Sequence, residues 1–197
     1  MQDGKQVFLL AGPSGSGKSR LAHRSGQFVL ELDDFYLAED APDMPRAPGG
    51  FIDWDDPLTW DSAAAADALA ALTSTGTATV PAYDISTSRV IGTRQLDLPP
   101  CGTAIIAEGV FATELLHPCL ARGLDVTPIW VERNRIGNWL RRFRRDVAQH
   151  RKPIPMLIRR GFQLAAREPN FRAVALTRGF IPLSYAATEK VLGRLNS

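Results

Sequence analysis

Gly12-Pro13-Ser14-Gly15-Ser16-Gly17-Lys18-Ser19 satisfies the pattern G-x-x-x-x-G-K-[ST] at every fixed position. An apolar run, Gln6–Ala11, precedes it, and a helix-prone segment, Gly17–Arg24, follows. This strand–loop–helix order limits the fold more than any other feature. The glycines let the backbone curl so that successive N–H groups point at phosphate oxygens. The helix that follows adds its positive N-terminal end. Lys18 can bridge β- and γ-phosphates, and the Ser19 hydroxyl can ligate Mg²⁺. Residues 12–19 therefore predict a nucleoside-triphosphate site with Mg²⁺.

The rest of the chain alternates predicted strands and helices. Strands are expected at Gln27–Leu32, Thr103–Ala107 and Asp125–Val131. Helices are expected at Leu58–Leu72, Thr113–Arg122, Arg135–Arg151 and Ile154–Arg167, and Ser184–Leu195 closes the chain. Ala41–Pro57, with four prolines and two glycines, reads as an irregular loop. This alternation predicts an α/β fold of three layers, α/β/α, with a mostly parallel sheet. The 197 residues fit one domain, with a helical, arginine-rich lid at about 135–168.

Composition removes several function classes. The chain is 45% apolar and 22% charged, which rules out wholesale disorder. No stretch approaches the roughly 20 apolar residues needed to span a bilayer, and Val7–Ala11 is too short for a secretory signal. Cys101 and Cys119 cannot form a disulfide framework. A cytoplasmic protein with no membrane partner is expected. Net charge is only +2, so no global field draws the chain to nucleic acid. The charge is nevertheless segregated. Glu31 to Asp61 holds ten acids and one base, whereas Arg133 to Arg160 holds ten bases and one acid. The sequence leaves homo-oligomerisation open.

Candidate chemistry clusters beyond predicted strand ends, where ligands of such sheets bind. Asp33, in Leu32-Asp33-Asp34-Phe35-Tyr36, can take a proton from an attacking hydroxyl and help hold Mg²⁺. Phe35 and Tyr36 offer an aromatic wall. Asp53-Trp54-Asp55-Asp56-Pro57 combines carboxylates with an indole, suited to gripping hydroxyls. Pro81-Ala82-Tyr83-Asp84 adds an aromatic–acid pair, and Glu108, in Glu108-Gly109-Val110-Phe111, adds an acid near the metal. In the basic stretch, Ile136, Leu140, Phe143 and Val147 form an apolar stripe flanked by Arg141, Arg142, Arg144 and Arg145. Those guanidinium groups suit phosphate oxygens. Too few aromatics are interleaved with them for a nucleic-acid groove.

Taken in order, GPSGSGKS, DDFY, DWDDP, PAYD, EGVF and RRFRRD resemble the uridine kinase and phosphoribulokinase group of P-loop kinases, from Gly12 to about Lys152. The resemblance implies that Asp33 is the catalytic base and that Tyr36 lines the acceptor pocket. It places Asp55 on the ribose hydroxyls, Tyr83 on the nucleobase side and Glu108 near Mg²⁺. It makes Arg142 and Arg145 lid arginines that contact acceptor and phosphates. The expected activity is transfer of the γ-phosphoryl group of ATP to a hydroxyl of a small molecule, a nucleoside first. The alternatives are a sugar, a sugar phosphate, pantothenate or another small alcohol, and, in a different class, a non-catalytic nucleotide-binding switch.

Overall fold

The computed structural model describes residues 5–99, 104–134, 137–138 and 168–196. In chain order these give β1 (Gln6–Ala11), α1 (Lys18–Arg24), β2 (Phe28–Glu31), α2 (Ser62–Thr75), β3 (Thr77–Asp84), β4 (Arg89–Asp97), β5 (Ala104–Glu108), α3 (Ala112–Ala121), β6 (Val126–Glu132), β7 (Ile181–Ser184) and α4 (Tyr185–Gly193). Residues 168–177 are also helical. The expected helices 135–151 and 154–167, and with them Arg142 and Arg145, lie outside the described residues, as does Cys101.

Five strands form one parallel sheet in the order β2-β5-β1-β6-β7. The central strand β1 is buried on both faces, which explains its unbroken apolar run. Its side chains alternate. Val7, Leu9 and Ala11 pack with Leu69 and Leu72 of α2 and Leu115 of α3. Phe8 and Leu10 pack with Leu21 of α1 and Leu192 of α4 on the opposite face. Helices thus cover both faces, giving the three-layer α/β/α arrangement. β1 and β2 are separated by β5, so the α1 connection crosses over a strand still to come. The glycine-rich loop of residues 12–19 therefore stands at the middle of the sheet's carboxyl edge.

Two expectations shift. The helix expected at Leu58–Leu72 runs from Ser62 to Thr75. Pro57–Thr59 forms a 3-10 turn instead, and Asp61 starts α2 by accepting a hydrogen bond from the Ala64 N–H at 2.9 Å. At the other end, Gly76 stops the helix with φ 79°. The second difference is an antiparallel hairpin, β3–β4, inserted between α2 and β5. No residue of the described helices forms a segment long and apolar enough to cross a membrane.

Candidate active site

Residues 12–19 leave β1 as a tight loop. Positive φ angles at Gly12 (148°), Gly15 (83°) and Gly17 (92°) are conformations that side chains oppose. Neighbours also close in: a Cβ on Gly12 would stand 3.0 Å from the Val131 carbonyl, and one on Gly17 3.0 Å from the Tyr185 ring. Lys18 is 7% exposed, and its ammonium donates to the Gly12 carbonyl (2.8 Å) and the Pro13 carbonyl (3.3 Å). Pro13, Ser14 and Gly15 are half-buried at the loop's rim, and Ser19 is exposed at the start of α1. Ser16 is fully buried, and its hydroxyl has no hydrogen-bond partner among the described residues. A buried orphan hydroxyl, a buried cation and a glycine cradle together fit a polyphosphate.

Asp33 stands in the 3-10 turn that follows β2. Its side chain remains accessible, yet surrounding protein strips much of its hydration. This desolvation, reinforced by the nearby Glu108 carboxylate and opposed by the Lys18 ammonium, pushes its carboxyl up to about 6. Asp33 thus lies within electrostatic reach of both Lys18 and Glu108. Glu108 ends β5 opposite Glu31 of β2 and Leu10 of β1 in the strand register. Gly109 lets the chain pass: a Cβ there would sit 2.7 Å from Leu32 Cβ. Among the described residues no three His, Cys, Asp or Glu side chains gather into a metal cage. Ser19, Asp33 and Glu108 instead suit Mg²⁺, which is commonly held by one or two carboxylates together with phosphates and water.

Four segments distant in sequence converge beside this centre. The Tyr36 ring lies 5.8 Å from Trp54, 5.7 Å from Tyr83 and 5.7 Å from Phe111 between centroids. Trp60 joins at 5.8 Å from Phe111 and anchors its indole N–H on the Leu32 carbonyl at 2.6 Å. Tyr36 and Tyr83 thus share one wall, where the sequence pairs Tyr36 with Phe35. Phe35 takes no part in it. It is 2% exposed and packs edge-on against Trp60, because the 3-10 turn rotates it into the core while Tyr36 faces outward. Burial raises the Tyr83 phenol above its ordinary value, against a hydrogen bond with Ser88.

The acidic stretch divides by task. Asp53 accepts from the Asp55 N–H at 3.3 Å, and Asp56 from the Leu58 N–H at 2.9 Å. These two and Asp61 shape the backbone. Asp55 is half-buried in the same loop as Trp54. Asp84 is also a turn residue. Its carboxylate accepts from Ser86 N–H (2.8 Å), Ser86 hydroxyl (2.7 Å) and Thr87 hydroxyl (2.9 Å), which lowers its pKa.

Sequence reasoning passed over three residues here. Arg94 of β4 forms an ion pair with Asp34, and Arg89 pairs with Glu39 at 3.6 Å. Both tie the hairpin to the loop carrying Asp33. Arg133, just past β6, donates to the Ser16 carbonyl at 3.2 Å. Its position one residue beyond a buried strand, at the same edge as the phosphate loop, was the available signal.

No protein-family model matches the chain. Over 131 residues, 64% of this chain, it is 33% identical to the inorganic pyrophosphatase TTM2 of Arabidopsis thaliana. That stretch is 18% of the plant protein, so the chain spans about a fifth of the length of the curated relatives it matches. Among solved structures, a protein of Silicibacter sp. TM1040 described as a fructose transport system kinase superposes with a TM-score of 0.64 at 21% identity, over 87% of this chain and 86% of that one. D-glycerate 3-kinase of Cryptococcus neoformans var. grubii superposes with a TM-score of 0.51 at 17% identity, over 87% and 79%. The chain accordingly has the α/β/α fold of the P-loop kinases, and its phosphate loop, acidic pair and aromatic wall occupy one edge of that fold.

Proposed function

We propose that this chain is a phosphotransferase that moves the γ-phosphoryl group of ATP to a hydroxyl of a small molecule, a nucleoside first. One observation carries the reading: Asp33, with its carboxyl raised to about 6, lies within electrostatic reach of both Lys18 and Glu108. A slow nucleotide switch has no use for a carboxylate tuned toward neutral beside an aromatic wall, whereas a general base does.

Lys18 and the amides of residues 12–19 hold the phosphates and offset charge as transfer proceeds. Asp33 takes the proton of the acceptor hydroxyl. Ser19, with the carboxylates of Asp33 and Glu108, would hold Mg²⁺, which when bound neutralises phosphate charge. Tyr36, Trp54 and Tyr83 bound the acceptor, and Asp55 accepts from its hydroxyls. Arg142 and Arg145 are assigned to the phosphates and acceptor on sequence grounds.

A second acceptor class, a sugar or small hydroxy acid, is favoured by the names of the two superposed proteins, a fructose transport system kinase and a glycerate kinase. The deciding experiment is ADP release from Mg·ATP by the purified protein across nucleosides, sugars, sugar phosphates, pantothenate and hydroxy acids. Stimulation by one class identifies the acceptor. ADP release that no acceptor increases would sink the proposal.

A further inference from the structure

The phosphate loop is braced from outside by a pair of residues that belong to no recognised motif. Arg133 follows β6, the strand beside β1, and Tyr185 opens α4 just after β7. The Arg133 guanidinium lies 3.8 Å from the centroid of the Tyr185 ring, a cation–π contact. The same guanidinium donates to the Ser16 carbonyl at 3.2 Å. Both groups press on the next residue: a Cβ on Gly17 would meet Tyr185 Cε2 at 3.0 Å and Arg133 Nη1 at 3.1 Å. Gly17 is also the N-cap of α1, with φ 92° and no side chain to cap the helix.

We propose that Arg133 is a positioning residue of the phosphate loop: stacked on Tyr185 and bonded to the Ser16 carbonyl, it fixes the Ser16–Gly17 peptide for phosphate binding. The inference rests on the reading of residues 12–19 as a phosphate site. In a planar trans peptide the C=O and N–H point in opposite directions. Holding the Ser16 oxygen outward on Arg133 therefore turns the Gly17 N–H away from Arg133 and leaves it for an anion. The stack on Tyr185 restricts the guanidinium before any ligand arrives, so less conformational freedom is lost on binding. Ser16 itself is fully buried, which fixes the carbonyl end of this peptide. Arg133 acts through the backbone and needs no contact with the reacting atoms.

The test is calorimetric titration of Mg·ADP into wild-type protein and the variants Arg133→Gln, Arg133→Lys, Tyr185→Phe and Tyr185→Leu, each with a thermal melt. Losing a charged hydrogen bond of this kind weakens binding by roughly 10–100-fold. That loss is expected for Arg133→Gln. Arg133→Lys, which keeps a cationic donor but not the planar stack, should fall between it and wild type. Tyr185→Phe should bind like wild type and Tyr185→Leu more weakly. In steady-state kinetics the KM for ATP should rise while the acceptor KM stays put. A merely structural role would not split the two constants, nor would Lys partly restore binding.

An Arg133→Gln protein with the wild-type melt and wild-type Mg·ADP affinity overturns the inference alone. A wild-type protein that binds no nucleotide overturns the phosphate-site reading and this inference with it. If Arg133→Gln loses its cooperative melt, Arg133→Lys and Tyr185→Leu decide. Weakened Mg·ADP binding with an unchanged acceptor KM supports the inference, and equal losses on both overturn it.

Discussion

Arg94, on the outer strand of the β3–β4 hairpin, forms an ion pair with Asp34, the residue next to Asp33. Asp34 is largely shielded, its side chain 16% exposed, whereas Arg94 is 45% exposed. An inserted hairpin is thus tied to the turn that holds the proposed base. Removing Arg94 takes away one of the hairpin's ties to that turn and leaves residues 12–19 untouched. Arg94→Ala should raise the acceptor KM by about 2–5-fold, in line with a half-exposed pair worth about 0.5–1 kcal/mol. The KM for ATP should not change. Steady-state kinetics with each substrate varied in turn checks both.

Asp33→Asn keeps the shape and loses the proton acceptor. Turnover should drop by roughly 10²–10⁴-fold, with nucleotide affinity near wild type. Unchanged turnover would remove Asp33 from the chemistry.

The raised carboxyl makes a pH signature. Asp33 must be ionised to act, so kcat/KM should climb with pH along an acid limb. Glu108 raises this pKa, so Glu108→Gln should move the limb to lower pH, whatever it does to the plateau. For stability the sign is opposite to that of a salt-bridged acid. A carboxyl raised above its unfolded value of 3.8 favours the fold below that pH, and the advantage fades as pH rises through about 6. Asp33→Asn should therefore melt higher than wild type at pH 8 and close to it at pH 4.

The acids at the loop's end can be separated by experiment. Asp61→Ala removes the α2 cap and should cost about 1 kcal/mol of stability with no change in acceptor KM. Asp55→Ala should raise the acceptor KM, which Asp61→Ala leaves unchanged. Melting curves alongside acceptor titrations distinguish them, and a shared phenotype would refute the division of labour.

Gly109 is held to its size by Leu32, which is 1% exposed. Gly109→Ala places a methyl 2.7 Å from Leu32 Cβ, inside contact distance. A destabilisation of about 1–3 kcal/mol is expected. Because Leu32 precedes Asp33, turnover should fall as well.

Local patterns were the legible part. The glycine-rich loop of residues 12–19 declares itself because eight consecutive residues fix its geometry. The buried strands β1 and β5 declare themselves because both faces are covered. DDFY, DWDDP, PAYD and EGVF could be singled out; the parallel sheet delivers DDFY and EGVF to one edge, and the 51–57 loop and the hairpin bring Trp54 and Tyr83 to Tyr36. The hairpin was hidden for a physical reason. Almost all of Arg89–Asp97 is exposed, so no apolar alternation marks it, and Pro81 and Gly92 read as breaks. β7 is four residues long and carries Pro182. The contact between Arg133 and Ser16 joins residues 117 apart, a separation no local pattern encodes. Phe35 and Tyr36 are adjacent, yet only packing against Trp60 sends one inward and the other out.

The hairpin meets the rest of the molecule through the Tyr83–Tyr36 rings, Arg94 with Asp34, Arg89 with Glu39, the Glu39 N–H on the Ser88 carbonyl, and Ala78, Val80 and Leu96, which pack into the core shared with α2. None of the named side-chain pairs involves residues 12–19. On the proposed reading this hairpin bounds the acceptor, so recasting its Tyr83 end would redirect selectivity while residues 12–19 keep their own contacts.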